Sequence, residues 1–529
     1  MTFLSTRRSA RRIARRKILG AVVICAGILA LLGSWALASP VGSSPDDTFH
    51  LPSIWCSAGS HPGQCDISSD RQRATVPGLV LGASWCYAPL SEVSASCQKS
   101  VEKEYPSIVT SDWNGKFAHY PPVFYRVMHT LVTDNVVASA LAMRLFNAFL
   151  ACFLFLSVYV LAPRSIRQSV FVTAIVGSVP LGLFLVASNN PSAWSILGLS
   201  TYWAFLLLAL ESQRRRIVYC SYVLAGLTAL MAAGARADAA AYIAISTIAV
   251  VFLTLRGPGA EWRAIFRPRL IPIAVVLIVA MLAFLRSAQS GIATGGFGGS
   301  TMATDMGARG TLERISSLVT GIEGSAVVAY VFYLPEFIAG AFGGWGLGWL
   351  DTPMPQIVVW MIFPIMIVLM FVGLGSMYRA KWLAVGLVSL LVVALPTWIA
   401  VSGGDAPGTN LQPRYIYPLV LVLVGLALVR KWRTSSISLS SPQWWSLAAA
   451  ASIAHSIALH VNLRRYLTGN DVSQFNLDAN YEWWWSNAPS PMTVWVVGTL
   501  AFTLLATLAL ASFRTIPNSE SPDPNLAPR

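Results

Sequence analysis

Two adjacent carboxylates and a histidine, Asp46, Asp47 and His50, follow the first long apolar run, residues 18–38. The Ser-Pro step before them favours a turn over a continued helix. Carboxylates are costly inside a bilayer, so a pair at its edge either faces water or works in a cavity. In a cavity one aspartate would be a general base, with His50 orienting it or the acceptor. The alternative is a solvated loop that caps a helix. We favour the first interpretation, in which the pair forms the catalytic end of a membrane-embedded transferase.

The composition indicates a multi-pass helical membrane protein. The chain has 529 residues, of which 55% are hydrophobic and 11% charged, whereas a soluble domain carries about 25% charged residues. Runs of roughly 18 or more apolar residues recur along most of the chain, which excludes a soluble enzyme with a single anchor. The net charge of +14 comes from basic residues clustered in short loops. That pattern sets membrane topology, and without a basic stripe it excludes nucleic acid as a partner.

The first apolar run is predicted to be a retained membrane anchor. Residues 1–17 are rich in arginine, which predicts a cytoplasmic N-terminus and a run that exits on the outer side. The run of residues 18–38 is longer than the roughly 7–15 apolar residues of a signal peptide. Ala36-Leu37-Ala38 resembles a signal-peptidase site, so cleavage there is the alternative. Residues 39–133, which follow, are polar enough for a folded exoplasmic loop.

The exoplasmic loop contains four of the seven cysteines: Cys56, Cys65, Cys86 and Cys97. Four cysteines allow three pairings. We favour the two that close short loops, Cys56–Cys65 and Cys86–Cys97, which suit an oxidising compartment. The absence of a close CxxC pair argues against a zinc site. The other cysteines lie in apolar runs and are predicted to be small core residues: Cys25, Cys152 and Cys220.

Hydropathy and loop charge predict an all-α protein with about twelve membrane crossings and both termini in the cytoplasm. The spans are expected near residues 18–38, 134–162, 169–187, 193–211, 217–235, 239–255, 270–286, 356–377, 382–401, 414–430, 443–461 and 491–513. The spans after the first are predicted to form two bundles, 134–286 and 356–513, and residues 514–529 are predicted to be a disordered cytoplasmic tail. Residues 287–355 fall outside, so the apolar piece 325–342 within them is predicted to be a re-entrant or interfacial helix. The alternative places 287–323 in the cytoplasm.

This topology brings several unusual polar residues to the outer face as candidate substrate-binding groups: Arg144, Asn147, Asn190, Arg236, Asp238, Asp351, Gln412, Arg414 and Tyr415. Arginine presents a planar, permanently charged fork that suits phosphate, and carboxylates suit base chemistry. The set therefore indicates a phosphate-bearing lipid and an acceptor hydroxyl. Three of its members have simpler interpretations: Arg236 with Asp238 as a local ion pair, and Arg144 as a side chain that reaches up to lipid headgroups.

Several of these residues stand in short motifs that resemble one bacterial family, the domain of unknown function 2142. The motifs are Ser43-Ser44-Pro45-Asp46-Asp47-x-Phe49-His50, Tyr120-Pro121-Pro122, Arg144-Leu145-x-Asn147-Ala148, Asn190-Pro191-Ser192, Arg236-Ala237-Asp238, Gly348-Trp349-Leu350-Asp351-Thr352-Pro353 and Gln412-Pro413-Arg414-Tyr415. The resemblance spans roughly residues 20–430. The family is in turn similar to the GT-C glycosyltransferases, which carry an acidic motif just after the first span.

The resemblance implies an inverting glycosyltransferase of the inner membrane. It would take a sugar from a polyprenyl-phosphate donor to an envelope glycan or glycolipid acceptor, with Asp46 or Asp47 as base. Arg414, with Arg144 or Arg236, would stabilise the phosphate. Two carboxylates and a histidine also suit a divalent metal, but no further ligand is identified, so no metal is assigned.

Two other function classes fit the same topology. A lipid or polysaccharide transporter, or flippase, would carry its charged pairs at mid-span. A non-catalytic envelope-assembly protein would use residues 39–133 as a docking module, and its acidic pair would point away from any cavity.

Overall fold

The computed structural model describes residues 2–117, 119–254, 324–403, 411–430 and 439–513, with a few positions between 272 and 282. These residues are mainly helical. The helices are α1 (Thr2–Leu37), α2 (Asp47–Trp55), α3 (Gly78–Gly82), α4 (Gln98–Glu104), α5 (Asn114–Phe117), α6 (Val123–His129), α7 (Val136–Leu161), α8 (Arg164–Gly177), α9 (Leu181–Val186), α10 (Ser192–Glu211), α11 (Arg215–Ala235), α12 (Ala237–Thr254), α13 (Gly324–Ala339), α14 (Gln356–Leu374), α15 (Arg379–Gly403), α16 (Tyr417–Leu428), α17 (Ser441–Leu467) and α18 (Pro491–Ala511).

Within the described residues, ten helices are long and apolar enough to cross a bilayer. They are α1 from Lys17, α7, α10, α11, α12, α13 with the turn that follows it, α14, α15, α17 and α18. A hydrocarbon core about 30 Å thick needs about 20 helical residues. The prediction of an all-α, multi-pass membrane protein is therefore confirmed. The predicted bounds are also close: the span expected at 193–211 is α10, Ser192–Glu211.

Two predicted spans are interrupted or short. The span expected at 169–187 is α8 followed by the six-residue α9, with Pro180 at the junction. Proline has no N–H to donate and clashes with the preceding turn, so one continuous helix does not form. The span expected at 414–430 begins with a 3₁₀ turn, Pro413–Tyr415, and α16 has 12 residues, fewer than the roughly 20 needed to cross.

The region of the predicted re-entrant piece forms one helix, α13, followed by a π turn over Gly340–Gly344. Its re-entrant course stays a prediction, because residues 287–323 before it lie outside the described part of the chain. The same holds for most of the span predicted at 270–286 and for the tail 514–529.

Helix α10 is the central helix of the bundle. It packs against α7, α9, α11, α12 and α16, and nearly all of its residues are buried. Helix α1 packs against α7 and α18, and α17 lies along α18. A disulfide between Cys25 and Cys152 joins α1 to α7. The prediction that these cysteines are simple core residues was therefore wrong, and Cys220, a free thiol, is exposed on α11.

The loop 39–133 carries a small antiparallel sheet with the strand order β1 (Asp66–Ile67), β2 (Ala74–Pro77) and β3 (Ser107–Thr110). Its four cysteines form the two favoured pairs, Cys56–Cys65 and Cys86–Cys97. Residues 468–490, between α17 and α18, dock on this loop: the Asn470 N–H donates to the Ser91 carbonyl at 2.8 Å. We call the end of the bundle that carries these two loops the loop end.

Candidate functional site

The site at the loop end is built around an ion pair between residues 368 positions apart. Arg414 Nη2 donates to Asp46 Oδ2 at 2.7 Å. The Asp46 backbone is left-handed, with a φ of 61°, and immediately precedes α2. This turn leaves 46% of the Asp46 side chain exposed, whereas only 5% of the Arg414 side chain is. A buried, fixed guanidinium thus meets a carboxylate at the surface.

Arg414 lies in a tight turn, and only one of its three side-chain nitrogens forms hydrogen bonds among the described residues. It lies in the 3₁₀ turn Pro413–Tyr415, which precedes α16. Its Nη2 also donates to the Tyr415 hydroxyl at 3.2 Å. Its Nε and Nη1 atoms are buried and have no hydrogen-bond acceptor among the described residues. Burial alone would lower the pKa of Arg414, but Tyr415 and Asp46 raise it above its ordinary value. The charge is therefore retained.

A second guanidinium, Arg236, lies beside the pair. It stands in extended backbone between α11 and α12 and forms a two-pronged ion pair with Asp238, with Nη2–Oδ2 at 2.7 Å and Nε–Oδ1 at 2.9 Å. The simpler interpretation of these two residues, a local ion pair, is thus what the structure shows. The guanidinium carbon lies 5.3 Å from the ring centre of Tyr415 and 5.8 Å from that of Tyr120. Arg414 lies 5.1 Å from the same Tyr415 ring, so one aromatic side chain contacts both cations.

The two aspartates have opposite environments. Burial would raise the pKa of Asp46, but Arg414, His50 and Arg236 together hold it below its ordinary value. Asp47 is fully buried in the first turn of α2, and burial raises its pKa to about 7, opposed by the charge of Arg144. Its Oδ2 accepts the Ser44 N–H at 3.1 Å, and its Oδ1 has no partner among the described residues. The Asp46 side chain is therefore a carboxylate that reaches solvent, whereas the Asp47 side chain is shut off from solvent.

His50 is buried one turn along α2 from these aspartates. Its Nδ1 lies 2.9 Å from the Tyr125 hydroxyl, and its ring meets Tyr120 edge-on at 5.1 Å. Burial lowers the pKa of His50 to about 3, although Asp46 opposes the shift. The imidazole is therefore neutral near pH 7 and orients neighbouring rings. Among the described residues, no three His, Cys, Asp or Glu side chains lie close enough to hold a metal ion.

The sequence profile of a family described as "Predicted membrane protein (DUF2142)" matches residues 29–423. The chain belongs to this family. No curated protein and no solved structure matches the chain. The DUF2142 match covers the Asp46–Arg414 ion pair and the neighbouring Arg236–Asp238 pair.

Three other candidate residues of this DUF2142 protein hold the backbone around the site. Arg144, in α7, is fully buried and does not reach toward headgroups as its simpler interpretation held. Its Nη1 and Nη2 donate to carbonyls at the end of α1, including Ala36 at 3.0 Å and Pro40 at 2.7 Å. Asn190 donates to the Pro45 carbonyl at 2.8 Å, directly before Asp46. Asn147 donates to the Ser188 carbonyl at 2.9 Å.

The remaining candidates are placed differently. Gln412 is half-buried, and its carbonyl accepts the Tyr415 N–H at 3.1 Å. Asp351 does not join the Asp46–Arg414 pair and instead forms an ion pair with Arg465 at 2.8 Å. Burial raises the pKa of Asp351 although Arg465 opposes the shift.

Arg465, in α17, was missed by the sequence analysis. It is fully buried, and besides Asp351 it donates to the carbonyls of Tyr87 at 2.7 Å and Val93 at 2.8 Å in the Cys86–Cys97 loop. It lies beyond the DUF2142 match. Two basic residues at the end of an apolar run are normal at a membrane border, so residue type alone carried no signal for this role.

Proposed function

We propose that this protein transfers a sugar from a polyprenyl-phosphate donor to an envelope acceptor at the loop end, on the outer face of the inner membrane. In this proposal residues 1–17 and the C-terminal tail are cytoplasmic. The observation that carries the proposal is the buried Arg414 guanidinium, which holds a solvent-reaching carboxylate with one nitrogen and has two more nitrogens without an acceptor among the described residues.

The two cations support a phosphate-bearing donor. A guanidinium presents donors in a planar fork that matches phosphate oxygens. Arg236 is already neutralised by Asp238, so Arg414 supplies the main contact and Arg236 adds to the local positive potential. In a site shielded from water these charges stabilise the phosphate as it leaves.

Asp46 is the better candidate for the base because it is the aspartate that reaches solvent. In the proposed reaction it accepts the proton of the acceptor hydroxyl. The hydroxyl oxygen forms a bond to the anomeric carbon, the bond from that carbon to the phosphate oxygen breaks, and its electron pair stays on the lipid phosphate. Asp47 holds the start of α2 by accepting the Ser44 N–H, and His50 orients the rings of Tyr120 and Tyr125. The proposal assigns no role to a divalent metal.

The positions of the charged pairs support a transferase over a transporter. The pairs of Arg236 with Asp238 and of Arg414 with Asp46 lie at helix ends, not at mid-span where a transported ion would bind. A purely docking role is less well supported, because the Asp46 carboxylate contacts a buried cation and also reaches solvent.

The experiment is an in vitro assay of the full-length protein in lipid nanodiscs with polyprenyl-phosphate sugars, in which mass spectrometry follows the release of polyprenyl phosphate. Asp46→Asn is expected to lower turnover by about 10²–10⁴-fold, the usual contribution of a general base. Asp134→Asn is the matched control, because it removes an exposed carboxylate just before α7. Equal turnover in wild type and Asp46→Asn would remove the proposed mechanism.

A further inference from the structure

Asp46 occupies the guanidinium that the proposed donor needs. Arg414 Nη2 donates to Asp46 Oδ2, and this is the hydrogen bond that the structure gives the Asp46 side chain within its described residues. If Asp46 stayed there, the phosphate and the base would compete for one cation. We infer that the Asp46–Arg414 pair is a resting-state latch, which the phosphate of the lipid donor opens by displacing Asp46. This inference rests on the proposed function and concerns the same site.

The two partners differ in how easily they move. Arg414 is 5% exposed, is flanked by the Tyr415 ring, and lies in a tight turn. Asp46 directly precedes α2, and 46% of its side chain is exposed. Its carboxylate can therefore turn to solvent by side-chain rotation alone. A partly exposed ion pair of this kind is weak. The carboxylate is therefore the partner that yields.

A phosphate is the stronger ligand for this cation. One carboxylate oxygen takes a single nitrogen of Arg414, and Nε and Nη1 are buried with no acceptor in the described part of the chain. The phosphodiester of a polyprenyl-phosphate sugar has two free oxygens, which accept from two guanidinium nitrogens at once. It also gains from Arg236, whose charge already acts on Asp46.

The latch has a consequence for the order of binding. While Asp46 is paired with Arg414, its pKa lies below the ordinary value and it is a poor base. Released from Arg414 and placed beside a phosphate anion, the carboxylate binds a proton more readily. The base thus becomes competent only after the donor has bound, so the donor binds first and the acceptor second. A lone acceptor is not deprotonated.

Binding of a lipid phosphate without turnover tests this inference. The probes are farnesyl phosphate and inorganic phosphate, titrated into the full-length protein in detergent and followed by tryptophan fluorescence. Asp46→Asn removes the competing carboxylate, so its Kd for farnesyl phosphate is expected to be about two- to fivefold lower than that of wild type. Asp134→Asn, the matched change of charge, is expected to bind as wild type does. Arg414→Gln is expected to abolish binding of farnesyl phosphate, both alone and combined with Asp46→Asn.

The outcomes separate the latch from the proposed function. If farnesyl phosphate binds in an Arg414-dependent way but Asp46→Asn gains no affinity or loses it, the latch is wrong and the donor site stands. If neither wild type nor any variant binds farnesyl phosphate, the latch and the proposed function are both wrong. If inorganic phosphate binds as tightly as farnesyl phosphate, the site recognises free phosphate, and the lipid donor is wrong. Size-exclusion profiles equal to wild type establish that each variant is folded.

Discussion

Replacing Asp47 with asparagine is expected to change how the stability of the protein depends on pH. Burial raises the pKa of the folded-state carboxyl from the ordinary 3.8 to about 7. Below pH about 4 both folded and unfolded states hold the proton, so the residue costs nothing. Between these two pKa values only the unfolded chain releases it, and the folded state loses stability as pH rises. Above pH about 7 the penalty is constant.

The size of the effect follows from the pKa difference. About three pH units at 1.36 kcal/mol each correspond to about 4 kcal/mol in full, of which about 3 kcal/mol develops between pH 4.5 and 8. The unfolding entropy of a chain this long is about 1 kcal/mol per degree. Wild type should therefore lose about 3 °C in melting midpoint relative to Asp47→Asn over that range. The unpaired amide of the variant lowers its whole curve without changing this slope.

The assay is a thermal unfolding series in one detergent at half-unit pH steps, with Asp134→Asn as an exposed control. Other titrating groups affect all three proteins equally, so the informative quantity is the difference between the curves. Wild type and Asp134→Asn should run parallel, and Asp47→Asn should converge on them or cross them from below as pH rises. Three parallel curves would show that Asp47 titrates at an ordinary pKa and that its buried environment is misassigned.

Three further predictions concern the residues that hold the site. Arg144→Gln leaves buried carbonyls at the end of α1 without donors, so it should lose about 3–5 kcal/mol of stability, seen as a loss of monodisperse protein in fluorescence size-exclusion chromatography. The double change Cys86→Ser/Cys97→Ser opens a short loop and should lower the free energy of unfolding by about 3 kcal/mol. A reductant should then lower the melting midpoint of this variant by less than it lowers that of wild type. Tyr125→Phe removes the hydroxyl 2.9 Å from His50 and should cost about 1 kcal/mol in stability, with turnover falling less than in Asp46→Asn; a fall as large as in that variant would give His50 a direct catalytic role.

The sequence signals at the loop end are local and chemical. Arginine and aspartate near helix ends, combined with loop charge, predict Asp46, Arg236 and Arg414 on one face. Their contact was not predictable in this way, since residue spacing gives no information on how α2 meets a turn 368 positions later. The roles of individual arginines were equally open. Arg144, inside α7, and Arg414, in the turn before α16, are the same residue type, yet one binds backbone carbonyls and the other a carboxylate.

The differences in the fold have the same origin. A hydropathy window averages over Pro180 and therefore predicts one span where α8 and α9 are separate. The Cys25–Cys152 disulfide depends on which faces of α1 and α7 meet, and apolar sequence does not encode a partner. Arg465 was missed because the predicted span ended at 461, whereas α17 continues to Leu467 and carries this side chain into the Cys86–Cys97 loop.

The central claim is that Arg414, Arg236 and Asp46 form one site for the phosphate of a lipid-linked donor. A cryo-electron microscopy structure of the full-length protein with polyprenyl phosphate tests it most directly. We expect phosphate density within hydrogen-bonding distance of Arg414 Nη1 or Nε, with the Asp46 carboxylate turned away from Arg414. Phosphate density at the opposite end of the bundle, or an intact Asp46–Arg414 pair beside a lipid bound elsewhere, would contradict the claim.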